Sequence, residues 1–100
     1  MTHWHSRMTL LGSRRSVFAC AHNSSWEKTM GARYIDWLRL SPKRQVCQFE
    51  TSKAPVAQLQ KLSQRWPGLT FLLDYEHETH RIKGLAKAKS REVEHCEIGY

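Results

Sequence analysis

Apolar and polar residues alternate most regularly along Gln45–Thr51. Cys47, Phe49 and Thr51 fall on one side of an extended segment, and Val46, Gln48 and Glu50 on the other. Val56, Leu59, Leu62 and Trp66 then recur at helical spacing, and Trp66-Pro67-Gly68 ends that helix. Thr70–Glu76 alternates again, with Phe71, Leu73 and Tyr75 on one face. A strand–helix–strand unit of this kind buries one sheet face under helices, so the chain is expected to be an α+β sandwich.

The flanking segments extend the pattern. Trp4, Ser6, Met8 and Leu10 share a face of an opening strand that stops at Gly12-Ser13. Val17, Phe18 and Ala21 suit a short helix capped by Ser13, and Asn23-Ser24-Ser25 breaks it. Ser24-Ser25-Trp26-Glu27 matches a capping box, which places Trp26 and Met30 inward on a further turn before Gly31. Ala32–Leu40 reads as a strand whose inward face the pattern leaves open. Ser41-Pro42-Lys43-Arg44 is a hairpin turn, since Pro42 presets its dihedral. After a turn at His77–His80, Arg81–Lys89 returns as a strand, and Val93–Ile98 is a weakly alternating last strand or tail.

Taken together, residues 1–100 are expected to form a single domain with a ferredoxin-like βαββαβ order. That order gives a four-stranded antiparallel sheet with two helices on one face, here with a C-terminal strand extension. The chain resembles the YubB-type ferredoxin-like domains, small proteins of plasmids, phages and other mobile DNA. The resemblance rests on Trp4 with Arg7-Met8-Thr9-Leu10 and Gly12, on Gly31-Ala32-Arg33-Tyr34, and on Phe49, Thr51 and Pro55. It continues through Pro67-Gly68-Leu69-Thr70-Phe71, Asp74-Tyr75-Glu76 and Ile82-Lys83-Gly84. Lys53 departs from it, standing where that family often has tryptophan. The resemblance implies the fold and an origin in mobile DNA. It implies no activity, because the family's biochemical role is undetermined.

Composition narrows the picture. With 40% hydrophobic and 25% charged residues the chain is globular in character. Sixteen Lys and Arg against nine Asp and Glu leave a net charge of +7, which favours polyanionic partners at the level of encounter. No apolar run approaches the ~20 residues that span a bilayer, so no membrane role is expected. The N-terminal segment lacks the apolar core of a secretion signal, and three cysteines at unrelated spacings suit reduced thiols, so a cytoplasmic location is expected.

Candidate chemistry is sparse. Four His/Cys groups, at residues 3 and 5, 20 and 22, 77 and 80, and 95 and 96, lack the paired spacing of a tetrahedral zinc site. Neither a phosphate loop nor a nucleophile elbow is present, and Asp74 and Glu76 fall on the outer strand face, where carboxylates keep a sheet soluble. No cofactor and no enzymatic activity are expected. Instead the outward sets of the strands expose Leu11, Val46 and Leu72, an apolar stripe that predicts an accessory interaction module. A homo-oligomer, with a dimer favoured, or a complex with another protein would cover that stripe. An alternative is nucleic-acid binding through the basic segment Arg81, Lys83, Lys87, Lys89 and Arg91. A further alternative is a small-ligand pocket near Trp4, Tyr34 and Trp37.

Overall fold

The computed structural model of the chain describes residues 3–23, 25–90 and 92–100. In chain order these form β1 (Trp4–Leu11), α1 (Arg14–Ala21), α2 (Ser25–Met30), β2 (Arg33–Ser41) and β3 (Arg44–Thr51). There follow α3 (Val56–Arg65), β4 (Thr70–His77), β5 (Ile82–Lys89) and β6 (Glu92–Gly99). The six strands make one antiparallel sheet in the order β2-β3-β1-β4-β5-β6.

Alternation is what sorts the residues between the two faces of this sheet. β1 lies at its middle, with Met8 opposite Cys47 on one side and Leu73 on the other, and Leu10 opposite Gln45 and Phe71. All of these point to the helices. They are buried with Val17 and Cys20 of α1, Trp26 and Met30 of α2, and Leu59 and Leu62 of α3. Each buried aliphatic side chain contributes ~1.5–3 kcal/mol, so this layer holds the fold together. The sequence pattern placed Cys47, Phe49 and Thr51, and Phe71, Leu73 and Tyr75, on the inward side; all six are buried.

Local chemistry sets the helix ends. The Ser16 backbone N–H donates to Ser13 Oγ at 3.2 Å, which caps α1. Past α1, Asn23 Oδ1 accepts from the Ser25 N–H at 2.9 Å, so the chain turns and starts again as α2. Gly31 then takes φ +65° while Ala32 N–H bonds to Glu27 O and Gly31 N–H to Lys28 O, a Schellman ending that favours glycine at this position.

The expected ferredoxin-like βαββαβ sheet of four strands and two helices is corrected by this architecture. Three helices are present among the described residues, because the break at Asn23 divides the β1–β2 connection into α1 and α2. The sheet has six strands, because the segments after β4 each pair in register with the strand before them. The C-terminal segment is therefore an edge strand, and among the described residues the face opposite the helices is uncovered. Ser24 of the anticipated capping box lies outside the described residues, as does Arg91.

A candidate interaction face

Opposite the helices, rows of side chains cross the sheet in register. Leu38, Val46, Thr9, Leu72, Lys87 and Glu94 form one row, from β2 to β6. Asp36, Gln48, Arg7, Asp74, Leu85 and Cys96 form the next, and Leu11 lies between Arg44 and Thr70 on the other side. Leu11, Val46 and Leu72 thus do share one face, as the alternation implied. Val46, however, is buried beneath its neighbours at 6% exposure and is not part of a free surface. Leu38 and Leu85, at 44% and 63%, are the more accessible apolar groups, with Leu72 at 36% between them. Sequence reading missed Leu38 because the facing of β2 was ambiguous. Ile35 and Trp37 pack on the core, which turns Tyr34, Asp36 and Leu38 outward.

Charge on this face is balanced rather than basic. The lysines of β5 each stand opposite an acid in the register of the sheet, and Lys83 is within ion-pair distance of its own. Lys83 Nζ lies 3.9 Å from Glu76 Oε2, Lys87 is the cross-strand partner of Glu94, and Lys89 that of Glu92. His5 Nδ1 sits 3.3 Å from Glu50 Oε1. The run of cations from Arg81 to Arg91 has no intervening acid in sequence, yet its neighbours in space supply them. Arg81 itself is in the β4–β5 turn with φ +56°, where its guanidinium lies 5.5 Å from the Tyr100 ring centre. Arg91 lies outside the described residues. The net charge of +7 therefore resides mostly on the helices and turns, where Arg14, Arg15, Lys43, Lys53, Lys61 and Arg65 are exposed.

Two hollows of about 510 Å³ mark the same face. One is lined by Arg7, Thr9, Leu72, Leu85, Glu94 and Cys96, among others. The other lies over the opposite strand ends, among Tyr34, Asp36, Glu50, Asp74, Glu76 and Lys83, and shares Arg7. Tyr34 is 78% exposed with φ +55°, a left-handed conformation uncommon for a non-glycine residue. The expected pocket of Trp4, Tyr34 and Trp37 does not form. Trp37 packs edge-on to Trp26, and Trp4 to Tyr75 and His77, all on the helix side, whereas Tyr34 points to the opposite face.

No family model matches the chain, and neither does any curated protein. A solved structure does. The fold is similar to the crystal structure of protein api92 from Yersinia pseudotuberculosis, which carries the family model DUF1281, with a TM-score of 0.59 and 19% identity. The likeness covers 77% of this chain and 30% of that one, so this chain spans under a third of its length. At that identity it concerns the fold alone.

A second cluster lies on the helix side near β6, and sequence reading did not find it. Tyr75 of β4 lies across Gly84 of β5, so closely that a β-carbon there would overlap Tyr75 Cζ. The ring thereby reaches β6, where Oη donates to Glu97 Oε1 at 2.8 Å and contacts His95 Nε2. A phenol has one proton, so with that proton directed to Glu97 the imidazole acts as donor. Burial, with Glu97 adding to it, raises the Tyr75 pKa. The sequence signal for this arrangement was Gly84, a glycine inside an alternating strand.

The histidines do not converge. His5 is on the open face, whereas His77 is buried on the helix side, stacked on His80 at 4.2 Å and accepting from its backbone N–H. Among the described residues no group of three or more His, Cys, Asp or Glu is placed to hold a metal ion. Burial pushes the Cys20 and Cys47 thiols up to about 12, whereas Cys96 is exposed on the open face. Among the described residues no helix is long and apolar enough to cross a membrane.

Proposed function

We propose that this chain is an interaction module that associates through the open face of its sheet, two copies stacking face to face. The observation that carries this reading is a six-stranded face, uncovered among the described residues, on which Leu38, Leu72 and Leu85 stand exposed among charges of both signs. Apolar groups of this kind gain from burial, and a two-fold arrangement lets one patch cover both copies. Charge balance matters equally. Two faces of this composition approach without the repulsion that a net charge of +7 would otherwise impose. The same balance weakens the nucleic-acid reading, since Lys83, Lys87 and Lys89 have acidic neighbours in place of free phosphate-binding capacity.

Sedimentation velocity tests the proposal. The double variant Leu72→Lys/Leu85→Lys is expected to keep its circular dichroism, because both residues are exposed within the chain, while its largest species falls to half the wild-type mass. A size distribution that the double substitution leaves unchanged removes the reading.

A further inference from the structure

The two edges of the sheet are built differently. β2 is irregular: its pairing with β3 shifts register between Arg33 and Asp36 and again between Arg39 and Ser41, and Tyr34 is left-handed between the first two. Bulges and twists of that kind keep an edge from pairing with another chain. β6 has none of them. Its eight residues pair with β5 without a shift, from Glu92 opposite Lys89 to Gly99 opposite Ile82. It contains neither proline nor lysine, nearly all of it is exposed, and among the described residues no strand pairs with its outer side. An edge this long and regular presents a free row of backbone donors and acceptors.

We infer that β6 pairs antiparallel with β6 of a second copy, about a two-fold axis at Cys96. The charge pattern selects this register. Antiparallel partners point to the same face, so a two-fold axis must pass through one residue of β6. Centring it on Glu94 or Glu97 sets two carboxylates directly opposite each other, which is destabilising. Centring it on Cys96 places Glu94 opposite Ile98 of the other copy and His95 opposite Glu97, so that no two glutamates face. The alternative centre at His95 opposes two imidazoles and forgoes the His95–Glu97 pairs. Acid that remains on the edge is offset from within, because Lys87 and Lys89 are cross-strand partners of Glu94 and Glu92. Edge pairing extends the open face from six strands to twelve. It uses a surface distinct from the stacking proposed above, and the two together close a four-copy assembly.

Cys96 supplies the readout. At the axis its α-carbon lies ~4.5–5.5 Å from its counterpart, inside the range a disulfide spans. Cys20 and Cys47 are buried and do not compete. Mild oxidation of native protein with diamide is expected to give one cross-linked dimer that Cys96→Ser abolishes. Ile98 is 58% exposed and tests the register without disturbing the core. Ile98→Glu, facing Glu94 of the other copy, is expected to weaken dimerisation of the Leu72→Lys/Leu85→Lys protein, and Ile98→Lys to tighten it. Two symmetric pairs correspond to a shift of roughly two- to thirtyfold in dissociation constant in each direction. A Leu72→Lys/Leu85→Lys protein that is monomeric at high micromolar concentration overturns the inference while leaving face stacking intact. So does a dimer whose affinity is indifferent to charge at Ile98.

Discussion

The helix-covered face of the sheet holds Met8, Leu10, Phe49, Phe71 and Leu73 at no more than 3% exposure. The open face leaves Leu38, Leu72 and Leu85 at 36% to 63%. Both faces come from the same strands and both carry leucines, so the presence of leucine alone does not separate them. What separates them is the supply of helices. α1, α2 and α3 all lie on one side, and the C-terminal segment joins the edge as β6 instead of folding across the other. One face is thus a core and the other a surface whose apolar groups have no cover among the described residues, which is why stability and association should respond to different substitutions.

The largest expected contrast is in alkali. Both buried thiols belong to the covered layer, and burial raises them from 9.0 to about 12. The native state holds these protons after the unfolded chain has released them, so their stabilising effect is complete below pH 9 and is lost as pH rises toward 12. Tyr75, raised from 10.0, acts with the same sign. Each thiol would remove about 1.4 kcal/mol per pH unit within that window. Urea midpoints at pH 7, 9, 10 and 11 should stay level to pH 9 and then drop steeply. A midpoint unchanged at pH 11 would mean that Cys20 and Cys47 are not enclosed.

Truncation in the covered layer comes next. Phe71→Ala is expected to cost about 3–5 kcal/mol, read from denaturant unfolding, because a fully buried ring leaves a cavity. Leu72→Lys, its neighbour in sequence, should change stability by less than about 0.5 kcal/mol and act only on assembly. Similar losses from the two variants would erase the distinction between the faces.

Gly84→Ala is smaller and more local. The added methyl meets the Tyr75 ring, which is held by Glu97, His95 and an edge contact with Trp4, so the ring must move. A loss of about 1–3 kcal/mol is expected. Tyr75→Phe in the same background should recover only part of it, since the hydroxyl leaves the clash while two ring carbons remain in it. A neutral Gly84→Ala would show that Tyr75 does not lie across β5.

Much of this was legible in the chain. Period-two alternation assigned the inward sets of β1, β3 and β4, because a pleated strand sends neighbours to opposite sides and only one side meets helices. Ser13 and Gly31 marked helix ends for equally local reasons, a side-chain acceptor and a left-handed backbone. On the face itself, Leu11, Val46 and Leu72 followed from the same alternation. Register was not legible. Whether Lys87 and Lys89 stand free or opposite Glu94 and Glu92 depends on which strands become neighbours, and the linear run of cations gave the opposite impression. Trp4, Tyr34 and Trp37 were grouped by type, yet the packing of Ile35 and Trp37 on the core sends Tyr34 to the other face.

The facing of β1, β3 and β4 and the helix ends at Ser13 and Gly31 were thus determined by the sequence itself, since they arise from contacts among residues a few positions apart, whereas the facing of β2 was not. Only the tertiary structure decided the number of strands in the sheet, the exposure of Leu85, the charge balance of β5 and the meeting of Tyr75 with Glu97. Each of these depends on residues far apart in the chain, and cross-strand pairing is selected by the whole sheet at once.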